Sequence, residues 1–234
     1  MKIAAIGDIH CTVNSHGQIR EMLRDVEQAD VLVLAGDLTD VGKAEEMEVL
    51  LEELEPFSMP IVAIPGNHDH EADQTDLLIT MMKWRGIRVL DGSSCNIEGV
   101  EFIGTKGFCG GFGHLRVQPF GEPGLKTFIN ASIEEVMRME NVLKEVKADH
   151  KVVIMHYSPI RETLLGEEPE LYPFLGTSLF ADVLDAHGVD VIFHGHAHNG
   201  SPHGNTRHKI PVYNVSRFVL ARTGQMPPYF VFTL

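Results

Sequence analysis

Short apolar runs punctuate the chain, and each is followed at once by a polar group or a turn residue. They are Lys2–Ile9, Val31–Gly36, Pro60–Pro65, Lys151–Met155 and Val189–Phe193. Valine and isoleucine dominate them. A strand buried on both faces reads this way, because neither face has to meet water. Between the runs the period changes. Gly17–Ala29 places Ile19, Met22, Leu23 and Val26 at helical spacing, and Lys43–Leu54 does the same with Met47, Leu50, Leu51 and Leu54. Asn130–Val146 and Leu179–Ala186 predict two more helices, and a segment capped by Asp73 or Thr75 predicts another ending at Trp84. Strands alternating with helices imply βαβ units in a layered α/β domain.

Two regions break this rhythm. Ile87–Gly107 reads as short strands around a turn, and the tail Lys209–Leu234 also reads as strands. Periodicity alone leaves open whether these pieces join one sheet or form a second. Gly104–Gly124 and Tyr157–Gly176 carry little regular pattern, and loops of that length in a compact domain are often functional. No repeat, linker or low-complexity tract interrupts the chain, so residues 1–234 are expected to form a single domain.

Composition narrows the class of protein. A hydrophobic share of 44% with 22% charged residues is ordinary for a soluble domain. The formal charge of -14 disfavours nucleic-acid backbones and anionic membranes, and no basic track interleaved with aromatics offsets it. Cys11, Cys95 and Cys109 form no CxxC pair and are odd in number, which fits a reducing compartment. The opening MKIAAIGDIH reads as a first core strand and not as a leader, and no run reaches membrane-spanning length. The expected location is cytoplasmic.

The candidate chemistry lies just past the strands. After the first come Asp8 and His10; after the second, Asp37 and Asp40; after the third, Asn67, His68, Asp69 and His70. His156 follows the fourth, and His194, His196 and His198 accompany the fifth. Open α/β sheets place their sites beyond the carboxyl ends of strands, so five strands direct polar groups to one edge. Asp8 and His10 are two apart, as are His196 and His198, so each pair shares a side in extended chain. Taken singly, each cluster is an ordinary strand terminus, and His150, His187 and His208 read as structural. A structural zinc site would use four ligands, often cysteines. The mix of Asp, His and Asn instead suits more than one divalent ion.

The set GDIH at 7–10, GDLTD at 36–40, GNHDH at 66–70, HYSP at 156–159 and GHAH at 195–198 resembles the calcineurin-like metallophosphoesterase superfamily. The motifs frame nearly the whole chain. The resemblance implies a four-layer αββα sandwich with two central mixed β-sheets. It implies that Asp8, His10 and His198 bind one metal, that Asn67, His156 and His196 bind another, and that Asp37 bridges them. His68 is then the proton donor or transition-state contact, oriented by Asp69. His194 and His70 fall outside the ligand pattern, and Asp40 holds a loop. Cys11 stands where members often have glycine, with three readings: narrowing the approach, weak ligation or no role.

The implied activity is hydrolysis of a phosphate ester by a metal-activated bridging hydroxide. Two divalent ions are implied, Mn first, with Fe or Zn as alternatives. A small phosphodiester or phosphomonoester is favoured over a phosphoprotein. A serine/threonine phosphatase and a metal-binding scaffold without activity are the other readings. His114, Arg116 and Arg161, on the irregular loops Lys106–Lys126 and Tyr157–Thr177, are candidate substrate contacts. Oligomeric state is left open.

Overall fold

The computed structural model describes residues 1–234. Five strands form one sheet: β1 (Lys2–Ile6), β2 (Val31–Ala35), β3 (Ile61–Ile64), β4 (Arg88–Val89) and β11 (Phe230–Thr233). Their order is β11-β1-β2-β3-β4, parallel except for β11, which runs antiparallel to β1. Six strands form the other: β5 (Ser93–Ile97), β6 (Val100–Thr105), β7 (His150–Met155), β8 (Val191–His194), β9 (His203–Asn205) and β10 (Pro211–Asn214). Their order is β5-β6-β7-β8-β10-β9, with antiparallel pairs at both edges. Both sheets are therefore mixed, as the resemblance implied.

Strand parity builds the layers. In β1, Ile3 and Ala5 face one way and Ala4 and Ile6 the other. Ile3, Ala5, Val33, Val62 and Ile64 meet Phe102, Val152, Ile154 and Phe193 of the second sheet in a central core. Ala4, Ile6, Leu32, Leu34 and Ala63 instead face α1 (Gln18–Met22), α2 (Ala44–Leu54) and α3 (Thr75–Trp84). The far side of the second sheet packs Ile103, Val153, Met155 and Ile192 against α4 (Pro123–Glu145) and α6 (Leu179–His187). Three apolar interfaces thus separate four layers, which explains why the inner strands β2 and β3 are apolar throughout.

Several expectations need correction. Gly17–Ala29 is not one helix. It is α1, then a separate 3-10 turn at Val26–Gln28, because Asp25 turns left-handed at φ 65°. Ile19, Leu23 and Val26 still reach the same core. The helix expected at Asn130 starts at Pro123, where the missing N–H of proline costs nothing. The loop 157–177 ends in a short helix, α5 (Tyr172–Leu175). The tail is not all strand either. Between β10 and β11 it forms α7 (Arg217–Arg222), whose Val219 and Leu220 are buried. A short apolar run does not distinguish strand from helix by period alone.

Candidate metal centre

The carboxyl ends of β1, β2, β3, β7 and β8 meet at one edge of the sandwich, so ligands come from both sheets. Backbone bonds zip the first two loops together: Asp8 N donates to the Gly36 carbonyl at 3.0 Å and His10 N to the Asp37 carbonyl at 2.9 Å. Asp8, His10, Asp37 and His196 all have positive φ, between 48° and 69°. That conformation is uncommon for residues with a side chain, and surrounding structure has to hold it. Two motif glycines show how tight the packing is. A Cβ on Gly66 would lie 2.2 Å from Asp37 Oδ1, and one on Gly195 would lie 2.6 Å from Asp8 Oδ2. Each glycine leaves room for a neighbouring candidate ligand.

The ligand atoms form two clusters that share Asp37. Asp8, His10, Asp37 and His198 place donor atoms within 4.8 Å of one another, and Asp37, His156 and His196 do the same. Asp8 Oδ1 is 3.1 Å from His198 Nε2. Asp37 Oδ2 faces His10 Nε2 at 3.8 Å, while Oδ1 faces His156 Nε2 at 3.2 Å. One carboxylate thereby addresses both clusters. Asn67 Oδ1 joins the second, 2.9 Å from His156 Nε2.

These residues fit divalent ions on two grounds. His10 Nε2 is buried and has no hydrogen-bond partner, yet it points into the first cluster. His156 Nδ1 donates to the Ala35 carbonyl at 3.0 Å, which turns the Nε2 lone pair toward two oxygen acceptors. Lone pairs that converge without a donor call for a cation. Without a metal ion, the cation at His156 Nε2 is a proton. Burial would depress the His156 imidazole, but Asp37 overcomes it and pushes the pKa up to about 9. Burial would raise the Asp37 carboxyl, and His156 holds it well below the usual carboxylate range. Burial, aided by charge on His156, pushes His196 down to about 3, so its ring stays neutral and able to ligate.

His68 and Asp69 have separate tasks. The His68 backbone N–H donates to Asp37 Oδ1 at 2.8 Å, and its Nδ1 bonds the Asp40 carbonyl at 2.5 Å. The ring stands edge-on to His10, with centroids 4.6 Å apart. Asp69 does not orient it. The Asp69 carboxylate is buried and accepts bonds from Leu38 N, Thr39 N, Thr39 Oγ1 and Gly66 N at 2.6–3.1 Å. It ties the second and third ligand loops together. Asp40 supplies the carbonyl that orients His68, and Asp40 Oδ1 also lies 3.4 Å from His10 Nδ1.

Other residues settle into place. Cys11 is buried in the outer core with its sulfur toward the Glu46 carbonyl at 3.3 Å, and burial pushes the thiol up to about 12. It faces helix α2. His194 is fully buried between the Gly195 carbonyl and Thr163 Oγ1, each 2.8 Å away, and burial holds it down to about 4. His70 bonds Thr75.

The cleft beside the first cluster has a volume of about 460 Å³ and includes His10, His68 and His198. His114, Arg116 and Arg161 are not part of it. His114 and Arg161 line a different cleft, and Arg116 is paired with Asp182 at 2.7 Å. In their place stand Arg217 and Phe218, which the sequence reading missed. The signal for them was weak: an Arg-Phe pair inside a run taken for strand.

Comparison with known proteins accords with this geometry. The calcineurin-like phosphoesterase family matches residues 1–200. A probable cyclic nucleotide phosphodiesterase of Vesicomyosocius okutanii is 24% identical over 205 residues, covering 81% of this chain and 72% of that protein. An uncharacterised protein of Methanocaldococcus jannaschii is 28% identical over 166 residues, or 70% of this chain and 63% of that one. The crystal structure of a phosphopantetheinyl hydrolase from Mycobacterium tuberculosis superposes with a TM-score of 0.72 over 99% of this chain and 95% of that one, at 16% identity. With two candidate metal clusters at the carboxyl edge of a two-sheet sandwich, the chain belongs to the calcineurin-like phosphoesterase family and is a metal-dependent phosphoesterase.

Proposed function

We propose that this protein hydrolyses a small phosphodiester at a two-metal centre. The observation that carries the reading is the cleft over His10, His68 and His198. Its volume of about 460 Å³ falls in the range of small-ligand sites, roughly 300–1,000 Å³. The Vesicomyosocius relative, a probable cyclic nucleotide phosphodiesterase, is of the same reaction class. The acidic surface gives little support to a nucleic-acid substrate.

In this reading Asp8, His10 and His198 hold one ion, Asn67, His156 and His196 hold the other, and Asp37 joins them. Divalent ions held there would supply an activated water and offset phosphoryl charge; Mn²⁺ is the first choice, with Fe or Zn as alternatives. The chain's own groups do the rest. Asp37 aligns the two clusters through its separate oxygens. His68, held through Nδ1 by the Asp40 carbonyl, presents Nε2 to give a proton to the departing oxygen.

The test is steady-state hydrolysis of matched aryl phosphodiester and phosphomonoester substrates by metal-stripped protein as Mn²⁺ is restored. Faster Mn²⁺-dependent turnover of the diester is expected. A clear monoester preference would overturn the diester reading, and no hydrolysis of either, with metal bound, would overturn the assignment to small esters.

A further inference from the structure

Helix α7 touches one metal cluster and not the other. Its first residue is stitched to the end of β1, since Gly7 N donates to the Val215 carbonyl at 2.8 Å and Arg217 N to the Gly7 carbonyl at 3.0 Å. The half-buried Arg217 side chain continues the contact by donating from Nε to the Asp8 carbonyl at 2.9 Å. One residue on, the Phe218 ring lies 4.5 Å from the His198 ring and 5.9 Å from that of His10. The Arg217 guanidinium sits over Phe218 at 4.5 Å. At the far end of the helix, Arg222 donates to the His198 carbonyl at 2.9 Å and to the Gly200 carbonyl at 2.8 Å.

All three side chains therefore bear on Asp8, His10 and His198. None of these contacts reaches Asn67, His156 or His196. The asymmetry has a physical consequence. Asp8 and His10 sit in left-handed backbone, which relaxes unless something fixes it. Guanidinium groups bonded to the carbonyls of Asp8 and His198 fix the backbone from which both ligands project. Phe218 limits rotation of the His198 ring. Groups that orient ligands in this way typically change metal affinity by about 10–100-fold when removed.

We infer that α7 is a positioning clamp for one metal subsite, and that Arg217, Phe218 and Arg222 set the affinity of the Asp8–His10–His198 ion independently of the other. The inference rests on the two-metal reading above. It makes α7 the element through which metal occupancy can be tuned at one subsite alone.

The experiment is equilibrium dialysis of the full chain against Mn²⁺, with bound metal measured directly. The unaltered protein tests the two-metal reading: two ions per chain are expected, and a single ion would overturn that reading and the clamp with it. The clamp itself is tested by Arg217→Met combined with Arg222→Met. One ion should weaken by about tenfold or more while the other changes less than twofold. Equal weakening of both ions, or no weakening, would overturn the clamp while leaving the two-metal reading intact. Adding the same pair to His198→Ala should cause little further loss, because the subsite is already damaged; a second full loss would overturn the clamp. Phe218→Leu, a milder change, decides the matter by the same split if the double variant does not fold. Far-ultraviolet circular dichroism checks folding in each case.

Discussion

Two adjacent residues, His68 and Asp69, show how far apart neighbouring side chains can be in role. His68 is about a third exposed and opens into the cleft, whereas Asp69 is buried under four donors. Replacing His68 by alanine should lower turnover by roughly 10²–10⁴-fold, with metal content and Tm nearly unchanged. Replacing Asp69 by alanine should act through stability. It leaves buried N–H groups of Leu38, Thr39 and Gly66 unpaired, and each costs about 1–3 kcal/mol. A chemical denaturation curve for Asp69→Ala should show a loss of at least about 3 kcal/mol, with activity falling because the ligand loops separate. If His68→Ala instead loses its metals, or Asp69→Ala is as stable as the parent, these roles are wrong. The motif shows the pair as neighbours. It does not show that a 3-10 turn over His68–His70 sends them in different directions.

At the scale of elements, α1 depends on a residue of another helix. It begins at Gly17 without a side-chain cap. Glu53, from α2, supplies one: its carboxylate accepts from Arg20 N at 3.2 Å and lies 3.5 Å from the Arg20 guanidinium. Burial would raise the Glu53 carboxyl, but bonds from the Gly17, Arg20 and Ile19 backbone hold it below the ordinary glutamate value. A carboxylate lowered on folding contributes stability above its unfolded pKa near 4.5, and that contribution disappears as pH falls through the lower folded value. Glu53→Ala should cost about 1–2 kcal/mol at neutral pH, as loss of a cap does, and the difference from the parent should shrink in acid. Thermal melts at pH 7 and at pH 3 measure it; an equal difference at both would contradict the cap. Elements like these also mark the limit of what sequence shows. The five apolar runs and their terminal motifs were legible, because strands buried on both faces carry a strong local pattern. The cap from Glu53, the break at Asp25 and the helix α7 were not. Each depends on what lies opposite in the folded chain. Arg217, Phe218 and Arg222 escaped for the same reason: they act through contacts with residues about 20 to 210 positions away.

Across the whole molecule, the candidate metal centre draws its residues from both sheets. Asp8, Asp37 and Asn67 follow strands of the first sheet, and His156, His196 and His198 follow strands of the second. Ions bound there would link halves otherwise held by the central apolar core. An ion at about 100 times its Kd adds about 2.7 kcal/mol to stability. For a chain of this size that raises Tm by roughly 5–10 °C per ion. Stripping the metals should lower Tm by that amount per site, and restoring Mn²⁺ should recover it in calorimetry; a Tm indifferent to metal would argue against ions held between the sheets. No helix is long and apolar enough to cross a membrane.

The position of β11 carries a different consequence. Strands β1 to β4 leave the ribosome within the first 89 residues, but the strand that covers the free side of β1 is made at residues 230–233. Until β11 is added, any sheet formed by β1 to β4 leaves the N–H and C=O row of β1 unpaired, a template for a neighbouring chain. Protection of the chain from its own copies is the role expected of β11. A version ending at residue 229 should scatter light at concentrations where the full chain stays clear, and equal clarity would show that another segment guards that edge.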